Sequence, residues 1–214
     1  MPKKIQIIPA ILAFDLEQFK NQYQKVAEDF DLLQIDIMDG EFVSSKNNLS
    51  PRKIKKIVKK HDLEIHLMVK DINSYIGPWA HFKNTQKVIW HYEANQDKQD
   101  IQAALKWLKK NKIKAGLAIN PSTKIKEIKA LIKKFDTILV LGVEPGQQGK
   151  KFDKKALSKI KKLRKLSSTL NIEIDGGVNI KNYPKLIKAG ANLIVMGSYL
   201  QQADDVKQAI AKLK

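Results

Sequence analysis

The feature that most constrains this chain is a repeated alternation of short apolar runs with longer, lysine-rich segments of helical period. The starts of the apolar runs lie roughly 22 to 34 residues apart, which is the size of one strand-plus-helix unit. Such an alternation predicts βαβ units around a parallel sheet. Eight strands are predicted, at residues 5–8, 32–37, 63–68, 87–90, 114–117, 137–141, 171–174 and 193–196.

Eight regular units without an intervening linker favour an α/β fold, with a single (β/α)₈ TIM barrel domain over residues 1–214. A doubly wound open sheet is the alternative. That fold normally shows a glycine-rich turn after its first strand, and residues 9–11 (Pro-Ala-Ile) do not form one. Helix starts are predicted at Asp15, at residues 121–123, at Asn179 and near Asp204.

Composition narrows the classes of protein. The chain has no cysteine, which fits a reducing compartment, so we expect a cytoplasmic protein. The start of the chain is predicted to be a strand, not a signal peptide, and no apolar run is long enough to cross a membrane.

The net charge of +18 suggests nucleic acid as a partner, but all basic residues except Arg52 and Arg164 are lysines. Proteins that read DNA bases favour arginine over lysine. We therefore prefer a solvated lysine surface to a nucleic-acid site, with the lysines on the polar faces of the helices, as in residues 53–60 and 159–165.

Polar residues at predicted strand ends are the candidates for chemistry, because the active sites of such barrels lie there. In the second strand, Gln34, Asp36 and Met38 share one face by the two-residue period. His66, His91 with Glu93, and Asp175 end the third, fourth and seventh strands. Each alone is explained by a cap or a core hydrogen bond. Together they predict carboxylates and imidazole converging on one cavity.

Glycine segments follow the last three strands, where such barrels usually bind phosphate. Glycine lets backbone N–H groups turn towards an anion. Ordinary strand-to-helix turns are the alternative explanation. The segments contain Gly146 and Gly149, then Gly176 and Gly177, then Gly197 with Ser198.

Taken together, these motifs resemble the ribulose-phosphate 3-epimerase family over essentially the whole chain. The matching segments are Pro9 to Asp15 (PAILAFD), Ile35 to Gly40 (IDIMDG), His66 to Val69 (HLMV), His91 to Ala94 (HYEA), Ala118 to Pro121 (AINP), Val143 to Gly146 (VEPG) and Asp175 to Asn179 (DGGVN). The resemblance implies a TIM barrel of the ribulose-phosphate-binding type. It also implies 3-epimerisation of a ketose phosphate, D-ribulose 5-phosphate to D-xylulose 5-phosphate or a related substrate.

The resemblance also implies roles for individual residues. Asp36 and Asp175 would transfer the proton on opposite faces of the substrate, and both, with His66, would bind a divalent cation (Zn, Mn, Mg or Fe). Met38 and Met68 would line the reacting carbons. The phosphate-contacting set would be Gly146, Gln147, Gln148, Gly149, Gly176, Gly177, Gly197 and Ser198. Members of the family form homo-oligomers, either dimers or hexamers.

The sequence departs from the family pattern within this site. Gln34 stands where the family has a histidine metal ligand, so Gln34 as a ligand is in doubt and zinc binding should weaken, whereas Mg²⁺ or Mn²⁺ fits a carbonyl oxygen. Ala10 replaces a serine and Leu141 a methionine. Gln147-Gln148 replaces an aromatic residue and a glycine, and Glu41 stands where the family usually has a histidine or another polar residue.

Three hypotheses follow for the function. The first is a working, metal-dependent sugar-phosphate epimerase. The second is a catalytically impaired barrel that binds a phosphorylated sugar. The third is a different reaction on the same scaffold, but the Asp-x-Lys-x-x-Asp array of related decarboxylases and synthases is missing, because residues 36–39 read Asp-Ile-Met-Asp. Trp79 and Phe82 suit either a core or an oligomer interface.

Overall fold

The computed structural model describes residues 4–94, 97–146 and 151–213. Within these residues, eight parallel strands close into a barrel in which each strand pairs with its neighbours in chain order and β8 pairs with β1. The strands are β1 Gln6–Ile11, β2 Leu32–Met38, β3 Asp62–Met68, β4 Thr85–His91, β5 Lys114–Ile119, β6 Thr137–Leu141, β7 Asn171–Asp175 and β8 Leu193–Met196.

Helices follow the strands around the outside of the barrel. In the described part of the chain they are α1 Leu16–Val26, α2 Pro51–Ile54, α3 Ile72–Ala80, α4 Lys98–Lys110, α5 Ile125–Ile128, α6 Lys155–Leu166, α7 Tyr183–Ala189, α8 Ser198–Gln201 and α9 Val206–Ala211, with a 3₁₀ turn at Ile132–Lys134. Asp15 caps α1 by accepting a hydrogen bond from the backbone N–H of Gln18. This arrangement is a (β/α)₈ TIM barrel.

The structure confirms the predicted barrel and all eight strands, and the alternative of an open sheet is wrong. Several strands extend up to three residues beyond their predicted ends. Three predicted helix starts need correction. The helix after residues 121–123 begins at Ile125, with Lys124 and not Thr123 at the cap. The helix α7 begins at Tyr183 because residues 179–182 form a turn, with Asn182 and not Asn179 at the cap, and the last helix is capped by Asp205 and not by Asp204.

Two-residue alternation gives each strand an outer and an inner face. In β2, the outward residues Leu33, Ile35 and Ile37 pack in the large apolar core between barrel and helices. Trp79 and Phe82 also belong to this core and are buried, which settles their placement within this chain. The inner face of β2 carries the polar side chains of Gln34 and Asp36, followed by Met38.

Most of the lysines that the structure describes lie on the surface, as predicted, but Lys87 and Lys159 do not. Lys87 lies inside the barrel, and Lys159, which was expected on the polar face of α6, is buried with its Nζ donating to the carbonyl oxygen of Asn120 (2.5 Å). Among the described helices, none combines the length and apolar composition needed to span a membrane.

Candidate active site

A pocket opens at the C-terminal ends of the strands. It is built from β1, β2, β3 and the loops that follow β6, β7 and β8, because parallel strands deliver their ends to one rim. Its lining comprises Ala10, Leu12, Asp36, His66, Met68, Leu141, Val143, Glu144, Pro145, Gly146, Asp175, Gly176, Gly177, Val178, Val195, Gly197 and Ser198.

The floor of the pocket carries two carboxylates joined by one amide. Gln34 Nε2 donates to Asp36 Oδ1 and to Asp175 Oδ2, at 2.8 Å in each case. The side chain of Gln34 is completely buried, and its Oε1 has no hydrogen-bond partner among the described residues. The amide therefore holds the two acids together across the barrel while leaving its own acceptor unsatisfied.

Burial makes both acids weaker than usual. It raises the pKa of Asp36 to about 7, although the hydrogen bond from Gln34 and the charge of His91 partly oppose the rise. Burial, together with the charge of Asp36, raises the pKa of Asp175 to about 6. One proton is thus readily kept on this pair near neutral pH, which suits groups that exchange protons with a substrate.

His66 lies against the acid pair. Its Nδ1 is 3.0 Å from Asp36 Oδ1 and 3.8 Å from Asp175 Oδ2. Burial lowers the pKa of His66, although the charges of Asp175 and Glu173 partly oppose this. On the far side of the ring, His66 Nε2 is 2.9 Å from His91 Nε2.

His91 continues this contact away from the pocket. Its Nδ1 lies 3.0 Å from Asn120 Oδ1 and 3.5 Å from Glu93 Oε2. Glu93 Oε1 accepts hydrogen bonds from the backbone N–H of Asn120 (2.9 Å) and from the hydroxyl of Thr123. Burial acts to raise the pKa of Glu93, but the hydrogen bonds from His91, Thr123 and Asn120 outweigh it and the pKa is lowered. Glu93 is therefore an anion at neutral pH.

A second buried ionic group lies deeper in the barrel. Lys87 Nζ is 2.6 Å from an oxygen of Glu64 and 2.6 Å from an oxygen of Glu173. Both glutamates are two residues before site residues, His66 and Asp175, so the same faces of β3 and β7 carry both layers. We call this group the lower ionic layer. Burial alone lowers the pKa of Lys87, but the two glutamates outweigh it and raise the pKa above its usual range.

The loops after β6 and β7 pack together at the pocket rim. The N–H of Gly142 donates to the carbonyl of Asp175 (2.6 Å), and its carbonyl accepts from the N–H of Asp153 (2.7 Å). A Cβ at Gly142 would lie 2.4 Å from the carbonyl oxygen of Gly176, and Gly176 has φ +95°. The backbone that carries Asp175 is therefore held between neighbours that leave no room for a side chain.

The structure brings most residues of the predicted phosphate set to one side of the pocket. Gly146, Gly176, Gly177, Gly197 and Ser198 all line it. The other three, Gln147, Gln148 and Gly149, lie outside the described residues. Their contact with phosphate stays a prediction.

The two methionines predicted near the reacting carbons are paired across β2 and β3. Both are buried in a small apolar cluster with Leu12 and Val43, and Met68 is on the pocket wall, whereas Met38 is not among the lining residues. Ala10 lines the pocket where the family has a serine, so no hydroxyl is presented there.

The acid pair and His66 fit a divalent cation. One donor atom from each of Asp36, His66 and Asp175 falls within 4.8 Å of the others. The orphaned Oε1 of Gln34 supplies a fourth donor if the amide rotates by half a turn, which replaces Nε2 with an oxygen beside the carboxylates. Two carboxylate oxygens, a carbonyl oxygen and one imidazole form a harder ligand set than one with two imidazoles.

Sequence reasoning located Asp36, His66 and Asp175 but missed what surrounds them. It did not predict that Gln34 bridges the acids, nor that Lys87 pairs with two glutamates. The two-residue period was the available signal, since it places Glu64 and Glu173 on the same faces as His66 and Asp175.

Paired acids and an imidazole in a pocket at the C-terminal rim of a (β/α)₈ barrel define an enzyme of the acid–base class. The chain belongs to the ribulose-phosphate 3 epimerase family, a family of isomerases, whose family model matches residues 6–201. It is 32% identical over 218 residues to ribulose-phosphate 3-epimerase of Bacillus subtilis (strain 168), covering 98% of each chain. It is 30% identical to that of Schizosaccharomyces pombe (strain 972 / ATCC 24843), covering 98% of this chain and 92% of the relative.

Solved structures agree on the fold. A tryptophan synthase α-subunit from the hyperthermophile Pyrococcus furiosus superposes with a TM-score of 0.70 at 13% identity, covering 100% of this chain and 99% of that one. A 3-hexulose-6-phosphate synthase superposes with a TM-score of 0.67 at 21% identity, covering 98% of each chain. At these identities the likeness concerns the barrel alone.

Proposed function

We propose that this protein epimerises a ketose phosphate at carbon 3, with D-ribulose 5-phosphate as the first substrate to test, by proton transfer through Asp36 and Asp175. The observation that carries the proposal is the pair of carboxylates in one pocket, a buried Asp36 and a half-buried Asp175, whose pKa values are raised to about 7 and about 6. Family membership supports the substrate class.

Both pKa values lie close to neutral pH, so without a bound cation the pair can hold one proton between the two acids. One acid can then accept the proton next to the substrate's ketone while the other donates one. After the transfer, the two roles reverse for the opposite direction. Epimerisation exchanges a proton on two faces of one carbon, and one acid on each face suits this exchange.

A divalent cation held by Asp36, His66 and Asp175 would supply positive charge beside the substrate oxygens that become negative. Gln34 would turn its carbonyl oxygen towards the cation. Because this oxygen replaces an imidazole, we propose Mg²⁺ or Mn²⁺ in preference to Zn²⁺. Gly146, Gly176, Gly177, Gly197 and Ser198 would contact the phosphate through the rim of the pocket.

The second candidate is a barrel that binds a phosphorylated sugar but turns it over poorly. Gln34 favours it, because its amide occupies an oxygen of each acid at 2.8 Å. The change at Ala10 favours it too, since a hydroxyl is missing from the pocket wall. A cytoplasmic location and assembly into a dimer or hexamer stay predictions.

The test follows D-ribulose 5-phosphate in deuterated water by proton NMR, with Mg²⁺, Mn²⁺, Zn²⁺ or a chelator. We expect xylulose 5-phosphate carrying deuterium at carbon 3, and a rate lowered about 10² to 10⁴-fold in Asp175→Asn. The exposed Asp204→Asn is the matched control and should keep the rate. Absence of exchange with every cation, alongside phosphate-sugar binding, would favour the second candidate.

A further inference from the structure

A line of side chains runs from the acid pair to the half-buried carboxylate of Glu93, which lies outside the pocket. It passes from Asp36 Oδ1 to His66 Nδ1 (3.0 Å), from His66 Nε2 to His91 Nε2 (2.9 Å), and from His91 Nδ1 towards Glu93 Oε2 (3.5 Å). Both imidazoles are buried. Neither His91 nor Glu93 lines the pocket, and along this line of contacts His66 is the residue that reaches the acid pair.

The contact between the two rings restricts where hydrogen atoms can be. Two ring nitrogens 2.9 Å apart share one hydrogen atom, because two N–H groups would point at each other and two lone pairs would repel. Either His66 donates to His91 or His91 donates to His66. The choice fixes the tautomer of both rings.

The contacts of His91 Nδ1 decide between these two arrangements. His91 Nδ1 faces two oxygens, Asn120 Oδ1 at 3.0 Å and Glu93 Oε2 at 3.5 Å. The other oxygen of Glu93 already accepts two hydrogen bonds, from the N–H of Asn120 and the hydroxyl of Thr123, so Glu93 is placed as an acceptor. Glu93 Oε2 is buried and has no other hydrogen-bond partner among the described residues. Nδ1 of His91 therefore carries the hydrogen.

We propose that His91, Asn120 and Glu93 are positioning residues that hold His66 as the tautomer protonated on Nε2, with the lone pair of Nδ1 directed at Asp36 and Asp175. The hydrogen on His91 Nδ1 leaves Nε2 of that ring as an acceptor. Nε2 of His66 must then donate, and Nδ1 is left bare. The use of that lone pair, to ligate a cation, rests on the proposed function; the tautomer itself does not.

This assignment explains how His66 can ligate a cation although its ring lies beside a carboxylate. Beside an ionised carboxylate, an imidazole would ordinarily turn an N–H towards it, and such a nitrogen cannot ligate a metal. Because His66 Nε2 donates to His91, the hydrogen in the 3.0 Å contact between Asp36 Oδ1 and His66 Nδ1 comes from the carboxyl group when no cation is bound. The carboxylate that orients the ligating histidine, Glu93, thus acts through His91 and does not itself contact the ring of His66.

The first test is ¹⁵N NMR of the histidine rings in cation-free, substrate-free protein. The chain has four histidines, which are assigned with single variants of His61, His66, His81 and His91. We expect His66 to be protonated on Nε2 and His91 on Nδ1. A spectrum with His66 protonated on Nδ1 overturns the proposal.

The second test compares His91→Leu with His91→Gln. Leucine fills the space but offers no acceptor, whereas the amide oxygen of glutamine replaces the acceptor of Nε2. We expect Mn²⁺ affinity, measured by electron paramagnetic resonance of the free ion, to fall about 10- to 100-fold in His91→Leu and to be largely recovered in His91→Gln. The exposed His81→Leu serves as the matched control and should bind as the unmodified protein does.

The outcomes separate this inference from the proposed function. The expected tautomers without any epimerisation would leave the inference standing and remove the proposed substrate. Epimerisation with His66 protonated on Nδ1 would support the proposed function and overturn this inference. Equal Mn²⁺ affinity in His91→Leu and in the unmodified protein would overturn the positioning role.

Discussion

The barrel interior holds two pairs of carboxylates, and the two pairs are compensated in different ways. In the lower ionic layer, the ammonium of Lys87 lies 2.6 Å from Glu64 and from Glu173. In the pocket, Asp36 and Asp175 share the neutral amide of Gln34 and lie beside the imidazole of His66, whose pKa is lowered by burial. The lower pair has a covalently attached cation, whereas the upper pair must take up a proton or an exchangeable cation.

The difference gives the lower ionic layer a structural role and the acid pair in the pocket a chemical one. A lysine anchored on β4 cannot leave, so it fixes the charges below the site and keeps them from the substrate. An amide holds the geometry of the upper pair without neutralising it, and the cost of burying two acids appears instead as pKa values raised to about 7 and about 6. Reactivity is thus concentrated in the layer that lacks its own cation.

The largest effect is expected from Lys87→Met, which removes the cation of the lower ionic layer. Two buried glutamates would lose their partner, and we expect the free energy of unfolding to fall by about 3 to 5 kcal/mol. Urea denaturation at pH 8 measures it. The exposed Lys185→Met on α7 is the control, with a change within about 0.5 kcal/mol. A loss in Lys87→Met no greater than in the control would remove the distinction between the layers.

The next effect is the pH dependence of stability in cation-free protein. Asp36 binds its proton more tightly when folded, so its contribution is full below its unfolded pKa of 3.8 and is lost as the pH rises through about 7. The upper limit for this residue is about 4 kcal/mol. We expect stability to fall between pH 5 and pH 8, as measured by chemical denaturation.

The variant Asp36→Asn isolates this contribution, because other groups also respond to pH. The raised pKa values of Asp175 and Glu64 act in the same direction, and the lowered pKa values of His66 and His91 act in the opposite one. We expect a smaller difference between pH 5 and pH 8 in the variant. An unchanged difference would mean that the upper pair is not the group that responds.

The smallest effect is expected from Gln34→His, which restores an imidazole between the two acids. The affinity for Zn²⁺ relative to Mg²⁺ should rise by about tenfold or more, which is about 1.4 kcal/mol in binding free energy. Competition with a chelator of known affinity measures both ions. The variant Gln34→Glu is the oxygen-donor comparison. An unaltered Zn²⁺ to Mg²⁺ ratio in Gln34→His would show that residue 34 does not face the cation.

The sequence predicted what is local and periodic. Alternation in β2 placed Gln34 and Asp36 on the inner face, and the known rim of such barrels brought His66 and Asp175 to the same end. These placements depend on strand direction alone. The structure agrees with each of them.

Contacts between strands that are distant in the chain could not be predicted. Lys87 reaches Glu173 only because β4 and β7 face each other across a closed barrel, and the length of a lysine side chain matches that gap. The contact from His66 to His91 depends on the rotamers of both rings. Lys159 resembled its surface neighbours in composition, yet it turns inward to the carbonyl of Asn120.

The close packing around Gly142 has a consequence for how this site diversifies. Its N–H holds the carbonyl of Asp175, and no side chain fits between it and Gly176. The main chain at residue 175 is thus positioned by contacts with backbone atoms, whichever side chain residue 175 carries. Single substitutions at residue 175 can therefore change the chemistry of the site without displacing its backbone, whereas any substitution at residue 142 would displace that backbone.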